Sequence, residues 1–309
     1  MMAMRKCRLA ARRAFSSRSG GSDASLPLES GLPHLLSSLQ RAFERRHVLA
    51  SYQEKQVFPP LPLQGPMDLL TFLQLQMSQK TEIDLHEFLE GAAFAGRTQL
   101  MAANSTEFAL FAAAAEEQKK SLEEAQEQDL EQLETAAELP VSKAAEQLEA
   151  MCSPHMYNGL IEASSRTLQN KNLIIDIQEM TVDKIFVARV DYSQFTEQDY
   201  EQMLDGDKSL TRARSEGATI EHLAIEVNAQ TTEVHKMTLV GEEEALVKQQ
   251  NFRRWLFESR VTTPDQLEWR ILAAHGVNNS AREIAPRKYL KKGEKKTDAS
   301  EETDVREPK

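Results

Sequence analysis

The chain has 309 residues and a formal net charge of −11, and 40% of it is hydrophobic, enough for one core of ordinary domain size beside terminal segments. Its longest apolar run, Phe108 to Ala115, has eight residues where a bilayer span needs about 18, which argues against a transmembrane protein. Two cysteines, Cys7 and Cys152, make neither a disulfide framework nor an ordinary zinc site.

The first 22 residues hold Arg5, Lys6, Arg8, Arg12, Arg13 and Arg18, with no acid before Asp23. Leu9, Ala10, Ala14 and Phe15 interleave with them, and no apolar core of a secretory signal follows. An Arg-rich, Ser-rich, acid-poor start of this kind reads as a mitochondrial transit peptide over residues 1–15, cut after Phe15. The expected location is the mitochondrial matrix, at most peripheral to the inner membrane. Removing the segment takes away five positive charges and leaves −16. Such a body does not hold a nucleic-acid backbone through net charge, although a local basic patch can touch RNA.

Residues 16–66 read as a flexible or extended arm. Gly, Ser and Pro dominate residues 20–33. A short basic helix over 34–50 would carry Leu35, Leu36, Leu39, Phe43 and Leu49 on its apolar side. Pro59, Pro60, Pro62 and Pro66 then argue for an extended stretch over 51–66. From Met67 the pattern turns helical, with Leu69, Leu70, Leu73 and Met77 at helical spacing. A second helix starts near Asp84 and buries Leu85, Phe88, Leu89, Ala92, Ala95 and Gln99 or Leu100. Gly91 and Gly96 inside it point to close approach of a neighbouring backbone. Residues 107–150 form an acidic helical segment: from Glu116 to Glu149 there are eleven acids and three lysines, with Pro140 as a break.

After Asn170 the period changes to two. Alternation over Leu173–Gln178, Ile185–Tyr192, His222–Asn228, Val234–Val240, Arg254–Val261 and Trp269–Ala273 predicts strands. Asp205-Gly206 marks a turn inside a polar loop or short helix. Helices first and strands second is the α+β order, with helices on one face of a strongly curved antiparallel sheet. The domain so defined covers residues 67–286, and residues 287–309 form a charged tail.

Three short stretches carry a resemblance. They are Asp84-Leu85-His86-Glu87-Phe88-Leu89-Glu90-Gly91-Ala92; Leu148 to Leu160, with Met151, Pro154 and Tyr157; and Phe252 to Arg270, with Trp269. In order and spacing they resemble the Tim44-like family over roughly residues 82–275. Residues 101–147 depart from it by being longer and more acidic, as an extra helical hairpin would be. The resemblance implies a cone-like, NTF2-like or Tim44-like domain that binds or tethers. One branch of the family sits on the mitochondrial large ribosomal subunit near its inner-membrane-facing side, and another anchors a chaperone motor to the import channel. The length looks more like the ribosomal branch. The implied partners are mitochondrial ribosomal proteins and, at a basic patch, rRNA. The alternatives are a translocase contact in protein import, or an accessory subunit or assembly factor of an inner-membrane complex.

Chemistry is not signalled. The sequence has no Gly-x-Gly-x-x-Gly, Walker A loop, His-Glu-x-x-His or Gly-x-Ser-x-Gly. No cofactor, metal or catalytic residue is therefore assigned, and the expectation is a non-enzyme. The seven histidines are scattered, although His155 approaching Asp191 or Glu226 would be one acid–base possibility. Candidate contact residues are Arg253, Arg254, Arg260 and Arg270, with Arg287, Lys288, Lys291 and Lys292 in the tail. Arg254 and Arg260 share a strand face. Two readings stand for the four arginines: contact with RNA or an acidic partner, or pairing with Glu258, Glu268 and other local acids.

Overall fold

The computed structural model describes residues 28, 31–60, 64–127, 139–171, 173–205, 217–239 and 244–276. The described elements run in the order α1 (Leu32–Glu44), α2 (Arg46–Glu54), α3 (Gln64–Leu75), α4 (Leu85–Ala103), α5 (Thr106–Glu127), α6 (Lys143–Met151), α7 (Pro154–Lys171), β1 (Leu173–Phe195), α8 (Glu197–Leu204), β2 (Ile220–Leu239), β3 (Glu244–Arg260) and β4 (Arg270–Gly276).

Local chemistry sets several of these boundaries. The Asp84 carboxylate accepts from the His86 amide at 2.8 Å and starts α4. Ser142 caps α6 by accepting from the Ala145 amide at 3.1 Å. Thr196 caps α8 by accepting from the Asp199 amide, while its hydroxyl donates to the Asp199 carboxylate at 2.8 Å.

The fold is α+β, but the sheet is not the strongly curved, cone-like one expected from the Tim44-like resemblance. It is an open four-stranded antiparallel meander in the order β1-β2-β3-β4. The reason lies in strand length. Leu173–Gln178 and Ile185–Tyr192, expected as two strands, are parts of one 23-residue strand, and His222–Asn228 and Val234 onward share one of 20 residues. Register shifts between Ile177 and Glu179, Val182 and Lys184, and Val187 and Arg189 keep β1 paired with β2 through its polar stretch. Long strands joined in sequence leave no extra strand among the described residues to turn the sheet back on itself. Of the expected acidic hairpin, α5 and α6 are present; residues 128–138 lie outside the described residues.

One sheet face is covered by helices. Val187, Val190, Leu223, Ile225, Val227, Trp255, Phe257 and Ile271 are buried there against Leu85, Phe88, Leu89, Ala92, Leu100, Phe108 and Leu148. Phe88 meets Phe257 edge-on at 5.6 Å between ring centroids. Gly96 is the closest joint: a β-carbon placed there would lie 2.7 Å from the Trp255 ring. The close approach expected of α4 is thus made at Gly96 and by an indole rather than a backbone; a β-carbon at Gly91 would meet nothing within 4 Å.

The helix expected over 34–50 is present as α1 and α2, while the extended stretch expected over 51–66 is corrected: α2 runs on to Glu54, and Tyr52, Val57 and Phe58 sit in the core. The Tyr52 hydroxyl accepts from the Leu85 amide at 3.1 Å, and Val57 C=O accepts from the Val187 amide at 2.8 Å. Pro59 and Pro60 follow these packed residues, Pro62 lies outside the described residues, and Pro66 sits in the first turn of α3, where its missing N–H costs nothing.

Candidate docking surface

The arginines singled out in the sequence do not form one patch. Arg253 faces the helices, across from Ala229, while Arg254, Arg260 and Arg270 point to the other face, in register with Asn228, His222 and Glu258. Arg253 is committed to a buried carboxylate. Its Nε and Nη2 donate to the two oxygens of Glu233 at 2.8 and 2.5 Å. Glu233 also takes a bond from the Thr231 hydroxyl at 2.6 Å, from Asn251 Nδ2 at 2.7 Å and from His235 Nε2 at 2.8 Å. Burial alone would push this carboxyl up, but the bonds from His235, Arg253 and Thr231 outweigh it and hold the group well below the usual carboxylate range. A guanidinium so engaged has no free fork for a phosphate.

On the other face each arginine has a local acid. Arg254 Nε lies 3.2 Å from Glu226, Arg270 Nη2 lies 3.6 Å from Glu268, and Arg260 Nη2 lies 2.5 Å from Glu197 while its guanidinium stacks 4.3 Å over the Tyr200 ring. Arg287, Lys288, Lys291 and Lys292 lie outside the described residues. The geometry favours local pairing of the four described arginines over a shared RNA patch.

The histidines likewise stay apart. His155 is exposed at the start of α7, on the helix side, while Asp191 and Glu226 lie on the opposite sheet face, so the acid–base grouping does not form. His222 is buried under α8 between Phe195 and Tyr200, with Nε2 3.4 Å from Glu258. Tyr200 donates to the same carboxylate at 2.9 Å. Among the described residues no three His, Cys, Asp or Glu side chains are placed to hold a metal.

A cleft of about 230 Å³ opens between the end of α4, α7 and the β3–β4 edge, lined by Leu100, Met156, Leu160, Ile175, Trp255 and Arg253. Its walls are mainly apolar, and the charge it offers is the guanidinium already neutralised by Glu233.

The unexpected surface is α1. Its apolar side points outward: Leu32 is 71% exposed, Leu36 58%, Leu39 45% and Phe43 69%. These positions recur at intervals of four, three and four residues, so they form a single stripe. The buried side is His34, Ser38 and Ala42. Polar contacts hold the buried side. The Ser38 hydroxyl donates to His34 C=O at 2.8 Å, Arg41 donates twice to Gln76 C=O at 3.1 and 2.8 Å, and His34 stacks on Tyr192 at 5.6 Å. His34 Nδ1 lies 3.2 Å from Gln79 Nε2, and the Gln79 amide donates to Glu221, which also accepts from the Tyr192 hydroxyl at 2.7 Å. Burial pushes the Glu221 carboxyl up to about 7, even with Tyr192, the Gln79 amide, Arg41 and Lys80 working the other way. On α3, which packs on α1, Met67, Leu69 and Leu70 are exposed as well. Sequence periodicity located most of this apolar side on α1 and did not say which way it faces. The basic and hydroxyl residues His34, Ser38 and Arg41 on the other side were the signal available in the sequence.

No protein-family model matches the chain, and no curated protein matches it in sequence.

Proposed function

We propose that this protein is a non-catalytic docking subunit of a mitochondrial assembly, and that the assembly is the large ribosomal subunit. The observation that carries the docking role is the outward apolar stripe Leu32, Leu36, Leu39 and Phe43 on a helix whose polar side is tied into the body. Contiguous exposed apolar surface of this kind is a mark of interaction sites. The basic, acid-poor N-terminus supports the compartment, and the family resemblance supports the ribosome over other assemblies. With the four described arginines held by local acids, the reading assigns binding to protein neighbours first and RNA second.

Import of a tagged chain into isolated mitochondria, followed by gradient sedimentation at moderate salt, tests this. Wild type is expected with the large subunit, and Leu36→Asp with Phe43→Asp is expected in the light fractions. Wild type confined to light fractions at low salt, or crosslinked to a translocase instead, would overturn the ribosomal assignment.

A further inference from the structure

We infer that α1 is a pH-controlled latch: its polar side is clamped to the body over a buried carboxyl, Glu221, and the helix lifts from its seat more readily once that carboxyl gives up its proton. The inference concerns how α1 is held and does not depend on what docks against its outer side. Glu221 lies at the start of β2 and is fully buried. Its oxygens accept from the Tyr192 hydroxyl at 2.7 Å and from the Gln79 amide at 3.2 and 3.4 Å, both uncharged donors. The N-terminal half of α1 rests on the same two residues. His34 stacks on the Tyr192 ring at 5.6 Å, and its Nδ1 lies 3.2 Å from Gln79 Nε2. The C-terminal half is tied separately, by Arg41 and Arg45 to Gln76. Of the buried side chains of α1, His34, Ser38 and Ala42, only the last is apolar. Polar ties rather than an apolar face therefore hold the helix down, and an element held in this way opens locally at lower free energy than the core.

The charges around Glu221 set the direction of the response. Among the described residues the cations that face it are Arg41 of α1 and Lys80 of the α3–α4 loop, and both act only at a distance. Arg41 is spent on Gln76 C=O and the Ser38 hydroxyl, and Glu82 of the same loop is paired with Arg45. The other titratable groups of the cluster are His34 of α1 and Tyr192 of β1. The chain after β3 meets Glu221 at its backbone: the Val261 amide donates to Glu221 C=O at 2.8 Å, and the Glu221 amide donates to the Thr262 hydroxyl at 2.9 Å. No cation bonds the carboxyl directly, so burial dominates and pushes it from the ordinary 4.5 up to about 7. Lifting α1 off Tyr192 and Gln79 lets water reach the carboxyl, which then titrates near its ordinary value. The open state binds fewer protons, so it gains on the closed one as pH rises from 4.5 toward 7 and gains no more above that. The ceiling on the opening equilibrium is about 300-fold, the antilogarithm of that difference.

The test is hydrogen exchange read by mass spectrometry on the purified full chain at about pH 5 and about pH 8, corrected for the intrinsic pH dependence of exchange. Protection of α1 is expected to be lower than that of α4 at both values. It is expected to fall by about ten- to a hundred-fold from the lower pH to the higher. Glu221→Gln keeps the shape of the protonated acid and has nothing to ionise. In that variant the fall is expected to disappear, with α1 protected at both values about as well as in wild type at the lower pH. Tyr192→Phe keeps the ring under His34 and removes a donor to the carboxylate, so the fall is expected to move to higher pH. Circular dichroism checks that both variants fold, and the wild-type comparison decides by itself if they do not. Unchanged protection of α1 between the two values in wild type, protection that rises with pH, or protection equal to that of α4 throughout would each overturn the latch. A fall retained in a folded Glu221→Gln variant would overturn the assignment of the latch to this carboxyl.

Discussion

At single residues, burial and partners decide outcomes that residue type leaves open. Glu221 and Glu233 lie on the same face of β2, and their carboxyls are shifted in opposite directions because their partners differ. Glu233 is met by a guanidinium, and Glu221 mainly by neutral donors. Glu221 holds its proton in the folded state up to about 7 but releases it near 4.5 when unfolded, so the folded chain binds more protons between those values. Stability therefore falls as pH rises across that window, by on the order of 2–3 kcal/mol from this group. Glu221→Gln should flatten this part of the pH–stability curve measured by urea unfolding. Glu233 works the other way: its stabilisation is present above the ordinary carboxylate range and is lost as pH falls below that range toward the lowered folded value. Gly96 offers a different test. Gly96→Ala gains about 1 kcal/mol of helix propensity, but the new methyl collides with the Trp255 ring, 2.7 Å away. A net loss of about 1–2 kcal/mol in denaturant melts is expected.

At the scale of elements, sequence patterns showed type more reliably than extent or orientation. The α4 stripe was legible because Asp84 caps the helix and Leu85, Phe88, Leu89, Ala92 and Leu100 all face the sheet. Strands were legible from alternation, but their lengths were not. Thr231 and Glu233 look like loop residues, yet they are buried because Thr231 donates to Glu233 and Glu233 also accepts from Arg253 inside the ladder. The way α1 faces was not legible for a related reason. Periodicity reports which side chains share a side, and the partners that hold the polar side, Gln76, Gln79 and Tyr192, lie far along the chain. This orientation makes an asymmetric prediction about mutation. Leu36→Asp should change the melting free energy by less than about 0.5 kcal/mol, because the site is solvent-facing. Ser38→Leu, at a fully buried position, should cost about 1–3 kcal/mol through overpacking.

For the whole molecule, helices seal one side of an open sheet, and the four candidate arginines that are described are balanced where they stand. What is left unbalanced is the corner formed by α1 and α3, where large apolar side chains meet water. The candidate arginines of the sequence were legible as residues but not as a site, since alternation along β3 sends Arg253 to one face and Arg254 to the other. The proposed function draws from the sequence only an expected compartment and a resemblance; the surface proposed to serve it needed the tertiary structure.

The direct measurement is thiol labelling at two neighbouring positions of α1, in a Cys7→Ser background. Cys152 is buried and its thiol is pushed up to about 12 by that burial, so it contributes little background. With the purified chain, the thiol introduced by Leu36→Cys should react with maleimide quickly and that introduced by Ser38→Cys slowly. In intact mitochondria, the Leu36→Cys site should become protected. Fast labelling at Ser38→Cys with slow labelling at Leu36→Cys would contradict the outward orientation of the stripe. Equal labelling of Leu36→Cys inside and outside the organelle would contradict its use as a docking surface.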